Sequence, residues 1–236
     1  MLHSHPVFDA LLSGTKALSV ALGFRDQATQ QHADRVVGLS QALGHACQLT
    51  LAELSLLRVA ATFHDVGKIG IPDRILQKPG TLTAEEFEII KQHPIIGAQI
   101  FFDSAHPYHI ASGIVALTHH ERYNGSGYPR GLAGEEIHLF GRIVAVADVY
   151  DALTTPRVYK EQWPEEKAIA LLESESGHHF DPKIAACFID SLPQIREAGK
   201  RIEIEEAERR RSLDLSTLLS RIPVNNEIDD SEEYPQ

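Results

Sequence analysis

Cysteine is scarce in this chain: Cys47 and Cys187 are its two, placed far apart in apolar contexts. Such sparse use excludes a disulfide framework, suits a reducing compartment, and marks both as buried thiols. Long hydrophobic runs are missing too. The longest apolar stretch near the N-terminus, Ala17 to Phe24, is too short to span a membrane, and no charged segment and small-residue cleavage site frame it. A cytoplasmic protein without membrane contact is expected. Cations are outnumbered, with 22 Lys plus Arg against 33 Asp plus Glu and a formal net charge of −11. That balance argues against non-specific binding to a nucleic-acid polymer, and a small anionic ligand would need a local basic site. No alternating strand run, repeat or low-complexity tract is found.

What is present is an ordinary globular composition, 43% hydrophobic and 23% charged over 236 residues. This suffices for one large domain with a terminal extension and excludes a wholly disordered chain. The unusual number is 13 His. Several stand inside apolar helical runs, where a solvated side chain would not be placed.

The apolar spacing predicts helices over Leu11–Gly23, His32–Leu43 and Leu51–Phe63, the last running into His64-Asp65-Val66-Gly67-Lys68. Thr83 to Glu86 has the form of a capping box, and the helix it opens should end or kink at Pro94, beside His93. The segment Ile110–Leu117 leads into Thr118-His119-His120-Glu121 and then a glycine-rich loop. Ile143–Leu153 reads as a buried helix with Asp148 and Asp151 on one face, and Pro164 with two acids starts another. The chain therefore reads as all-α. The organisation expected is an N-terminal segment (1–14), a main domain (15–193), a charged helical extension (194–224), in which Leu213 to Ile222 could dock on the domain or a partner, and a mobile acidic tail (225–236).

Chemistry concentrates in a few positions. Asp148 lies in the run Ile143 to Val149, where an unpaired buried carboxylate would cost several kcal/mol, so it needs a cation. His64-Asp65 and His119-His120 each end an apolar helix, and His32 and His93 lie on two more. Five imidazoles and two carboxylates form a donor set for first-row divalent ions and exceed what one ion uses, so two ions are implied, with Asp65 placed to bridge them. Taken singly, each His has the plainer reading of a core or surface residue, Lys68 that of a cation at a helix end, and Arg157 and Lys160 that of a solvated face.

As local motifs the pattern is sharper. His64 to Pro72, together with His119 to Pro129, resembles the HD-GYP family, and the segments Arg25-Asp26, His32 to Val36, Lys91 to Pro94, Ala147 to Thr154 and Arg157 to Lys160 match it in order. The resemblance covers roughly residues 15 to 190. It implies an all-α HD-type fold and a centre of two or three metal ions, often iron or manganese, that hydrolyses cyclic di-GMP to pGpG or GMP through a bridging hydroxide. Carried over by position, His32, His64, Asp65 and Asp148 would hold one ion, and Asp65, His93, His119 and His120 the other. Lys68 would act beside the centre on the phosphate, where negative charge develops. Arg157 and Lys160 match positions that contact the substrate phosphates, and Gly127 and Tyr128 would shape a pocket wall. Two departures stand out. Ala28 occupies the place of a Glu found in members with a third metal, which argues for two ions, and Asn124 stands where many members have Asp. No sensory or receiver domain is expected ahead of this region. Two other readings are a phosphohydrolase acting on another cyclic or linear nucleotide, and a partner-binding module that retains the motifs.

Overall fold

The computed structural model describes residues 27–156 and 162–211. The expected helix Leu11–Gly23, the cations Arg157 and Lys160, the Leu213 to Ile222 segment and the acidic tail lie outside the described residues. Within them the protein is helical, with ten α-helices, two 3-10 turns and no strand. No described helix is long and apolar enough to cross a membrane.

Helix α1 (Gln27–Ala46) places Val36, Val37 and Leu43 in the core, and α2 (Leu51–Thr62) packs against it through Leu57, Ala60 and Ala61. A capping box starts α2: Thr50 accepts from the Glu53 amide while the Glu53 carboxylate accepts from the Thr50 amide. This pair satisfies two of the amides a helix start leaves free. After α2 the chain tightens into a 3-10 turn (Val66–Gly70) and a single turn, α3 (Asp73–Leu76). The second capping box, at Thr83, opens α4 (Ala84–Ile90) as the sequence predicts. Here α4 stops at Ile90, and Pro94 belongs to the first turn of the next helix, α5 (His93–Phe101). Proline is tolerated there because its missing N–H is one the helix could not use.

Helix α6 (Pro107–Thr118) packs on α2 and α5, and α7 (Leu139–Thr154) crosses α1 and α6. The apolar run in α7 buries Ile143, Val144, Val146 and Ala147. Helices α8 (Glu165–Ser174) and α9 (Pro182–Asp190) close one side of the core with Leu172, Ile184 and Phe188. Helix α10 (Leu192–Arg211) lies along α1, with Leu192 and Ile195 buried. The cysteines depart from expectation: both are half-buried rather than buried, and Cys47, just past α1, meets Cys187 on α9.

Candidate metal centre

The groups singled out by their chemistry arrive from five segments. His32 comes from α1, His64 and Asp65 from the end of α2, His93 from the start of α5, His119 and His120 from the end of α6, and Asp148 from α7. Two sets of donor atoms result: Asp65, His93, His119 and His120 in one, and His32, His64 and Asp148 in the other, the atoms of each within 4.8 Å of one another. Asp65 reaches both. Its Oδ1 lies 3.3 Å from His93 Nε2 and 3.8 Å from His119 Nε2, and its Oδ2 lies 3.4 Å from His64 Nε2. Lys68, one turn on, pairs with Oδ2.

The close approach of these segments depends on glycine. A Cβ at Gly67 would lie 1.9 Å from the His93 carbonyl oxygen, so only glycine lets the 3-10 turn carrying Lys68 sit against the start of α5.

Four of the five imidazoles are aimed by their other nitrogen. His64 Nδ1 donates to the Ala61 carbonyl at 2.8 Å, His93 Nδ1 to Ile90 at 2.7 Å, and His119 Nδ1 to Ala116 at 3.0 Å. A carbonyl only accepts, so the proton sits on Nδ1 and the Nε2 lone pair faces the cluster in the neutral ring. His32 is held differently. Its Nδ1 donates to Asp151 Oδ2 at 2.6 Å, with Nε2 3.1 Å from Asp148 Oδ1. Asp151 is in turn gripped by Arg35, whose Nε and Nη2 donate to its two oxygens at 2.6 and 3.1 Å. A carboxylate behind a ligating His is the usual way to orient the ring and raise its basicity.

Charge follows from these contacts. Burial works against both carboxylates, yet Lys68 and His64 hold Asp65 well below the usual carboxylate range, and His32 does the same for Asp148. Burial pushes His93 down to about 4 despite Asp65, and burial with the neighbouring His119 pushes His120 well down, so both are neutral near pH 7. His32 is the opposite case: burial disfavours its charge, but hydrogen bonds to Asp148 and Asp151 bring it up to about 9. Neutral imidazoles facing ionised carboxylates are suited to a divalent cation. A further observation agrees. The buried His64 Nε2 and Asp65 Oδ1 have no hydrogen-bond partner, although both point into the cluster, and orphaned polar atoms of this kind are costly unless something binds them.

The mouth of the site is marked by what stays partly exposed: His120, Asp148, Lys68 and Tyr128. The Tyr128 ring stacks on His120 with centroids 4.9 Å apart, and Phe87 of α4 meets Tyr128 edge-on at 6.3 Å. The glycine-rich loop is pinned from beneath. Buried Glu121 accepts from the Arg130 amide at 2.7 Å and the Leu132 amide at 3.1 Å. A Cβ at Gly127 would fall 2.2 Å from the Arg122 nitrogen, so the loop must pass there without a side chain. Asn124 forms a local turn, its Oδ1 accepting from the Ser126 amide at 3.0 Å. An Asp could make the same contact, so this departure leaves the turn intact. On α1, Ala28 offers no donor one turn before His32.

Sequence reasoning passed over Arg35, Glu121 and Phe87. The spacing of three between His32 and Arg35, equal to that between Asp148 and Asp151, was a signal for the first, since both pairs share a helix face. The other two carried no local signal.

An all-helical frame that gathers two linked sets of His and Asp donors defines a class: helical domains built around a cluster of metal-ligating side chains. The chain belongs to the HD domain family, whose match runs over residues 16–184, and within it to the HD-GYP type. It is 42% identical over 198 residues to a cyclic di-GMP phosphodiesterase of Thermotoga maritima, covering 84% of this chain and 54% of that protein. It is 39% identical to a 3'3'-cGAMP-specific phosphodiesterase of Vibrio cholerae, covering 73% of this chain and 33% of the relative. A solved HD-GYP-like protein of Bdellovibrio bacteriovorus superposes with a TM-score of 0.56 at 26% identity, over 78% of this chain and 60% of that one. The chain spans about half the length of the Thermotoga relative and less of the Vibrio one.

Proposed function

We propose that the chain is a metal-dependent phosphodiesterase that hydrolyses cyclic di-GMP, giving pGpG or, after a second cut, GMP. The observation that carries this is the pair of donor sets joined through Asp65, with three imidazoles locked by carbonyls so that Nε2 faces inward. His32, His64, Asp65 and Asp148 would hold one divalent ion and Asp65, His93, His119 and His120 the other; the donor types accept iron, manganese, cobalt or zinc, and the resemblance favours iron or manganese. Bound there, the ions supply a nucleophile at neutral pH and neutralise charge on the phosphodiester.

The remaining work falls to the chain. Lys68, held against Asp65 at the mouth, positions that carboxylate and offers an N–H to a phosphoryl oxygen. Tyr128, stacked on His120, gives a nucleobase a flat apolar surface, and Gly127 keeps the loop low enough for it to enter. Asp151 and Arg35 keep His32 in its orientation. Arg157 and Lys160 are assigned to the substrate phosphates on resemblance alone, since they lie outside the described residues. In a chain of net charge −11, Lys68 and these two cations would concentrate positive potential where a dianionic substrate binds. A cytoplasmic location is part of the same proposal, since cyclic dinucleotides act there as second messengers.

The Vibrio relative's 3'3'-cGAMP specificity favours a second reading, with another cyclic dinucleotide as substrate. The test is anaerobic purification, a metal count, and incubation with cyclic di-GMP or 3'3'-cGAMP beside the His64→Ala, Asp65→Ala double variant. Two ions per chain and cyclic di-GMP turnover lost in the variant are expected. Two ions with turnover of 3'3'-cGAMP alone would move the assignment to that substrate, and a chain that binds no metal would overturn both readings.

A further inference from the structure

Cys47 and Cys187 are 140 positions apart, yet their sulfur atoms lie 3.1 Å from one another. Neither is free to drift. Cys47 sits in the turn that ends α1, where its amide donates to the Leu43 carbonyl at 2.8 Å and the Leu49 amide to Gly44 at 2.9 Å. Cys187 lies on α9, whose start is fixed by Asp181, which accepts from the Lys183 amide at 2.8 Å and pairs with Arg142 of α7. Both residues pack on the main core and both are half-buried rather than enclosed, which leaves a small reagent a short path to the pair. A disulfide needs the sulfurs at about 2.05 Å, an approach of roughly 1 Å from their present contact.

We propose that Cys47 and Cys187 are a site of reversible covalent modification, forming an intramolecular disulfide by exchange with a small-molecule disulfide. The step balances. One cysteine thiolate attacks a sulfur of the small disulfide and expels one thiolate; the second cysteine then attacks the mixed disulfide and expels the other. Two protein thiols lose two protons and two electrons, and the small disulfide leaves as two thiols. Burial, and then the adjacent sulfur, push the Cys47 thiol up to about 12, so the pair exchanges slowly near pH 7 and faster as pH rises.

The consequence follows from where the bond falls. The loop it closes contains His64, Asp65, His93, His119, His120 and Asp148, while His32 lies outside it on α1. The cross-link therefore ties the segment carrying most of the donors to the end of the helix carrying the last one. A closed loop of this length limits the unfolded chain and raises the melting temperature, by about 5–15 °C for a protein of this size.

The test uses the reduced full chain, incubated without oxygen in oxidised glutathione at pH 7 to 9, then alkylated, digested and read by mass spectrometry. The expected result is joint loss of both thiols in a monomer, a linked Cys47–Cys187 peptide, faster formation at pH 9, a higher melting temperature, and reversal by dithiothreitol. Cys47→Ser and Cys187→Ser should each abolish the linked peptide and the thermal shift. Stable single glutathione adducts, dimers linked between chains, or two free thiols after prolonged exposure at pH 9 would overturn the proposal. Peptide mapping of the parent protein reads the bond directly, whatever the protein's activity toward cyclic dinucleotides.

Discussion

Asp151 belongs to neither donor set, yet it decides how one of the donors points. Its two oxygens take the His32 ring and the Arg35 fork, and a third contact comes from the Thr155 hydroxyl at 3.0 Å. An Asn there would keep the volume but lose the charge that orients the ring. Asp151→Asn is therefore expected to weaken metal binding at the His32 set about 10- to 100-fold while sparing the other set. Chelator competition titrations check this, and equal affinity in variant and parent would reduce Asp151 to a packing role. His179 makes a second prediction. Burial, then the Arg122 guanidinium 3.3 Å from Nδ1, hold its imidazole down at about 4. Between roughly pH 6.5 and 4 the unfolded chain gains a proton that the folded chain refuses, so stability falls as pH drops through that window. His179→Gln removes the titrating group. Its melting temperature should fall less between pH 6.5 and 4 than that of the parent, and identical pH profiles would refute the assignment.

The two capping boxes have the same chemistry and different surroundings. Helix α2 buries Leu57, Ala60 and Ala61 and delivers His64 and Asp65, so its start is coupled to the core and the site. Helix α4 buries none of its residues, and Phe87 and Ile89 remain exposed. Removing a cap costs about 1 kcal/mol of helix stability, but only a helix packed on the core passes that loss to global unfolding. Thr50→Ala should lower the denaturant midpoint. Thr83→Ala should leave it nearly unchanged and speed amide exchange within 84–90; equal shifts in the two midpoints would show that α4 is tied to the core after all. The same contrast explains the segment around Pro94. Local rules placed a break near it, but whether proline ends one helix or begins the next depended on the packing of α5 against α6 and the Val66–Gly70 turn.

Across the whole molecule, five segments converge on one buried set of polar groups, and what binds there stabilises the assembled fold. A ligand at about a thousand times its dissociation constant adds about 4 kcal/mol, which for a domain of this size corresponds to about 8–16 °C. Stripping metal with a chelator should lower the melting temperature by that order, and manganese should restore it. An unchanged melting curve would mean that the donors are held by the protein alone. The helical class was readable from the sequence because periodicity and capping act over three or four residues, and so was the donor list, because imidazoles and a carboxylate inside apolar runs demand a partner. The resemblance also implied how the donors divide into two sets; the tertiary structure alone decided that Arg35 and Asp151 stand behind His32, that Glu121 holds the loop beneath Tyr128, and that the two cysteines touch. The contacts of His32 and Arg35 with Asp151 and of Cys47 with Cys187 join residues more than a hundred positions apart, and the Glu121 contacts depend on how the loop turns back. No local pattern encodes them; they follow from helix crossings and loop paths that only the packed core determines.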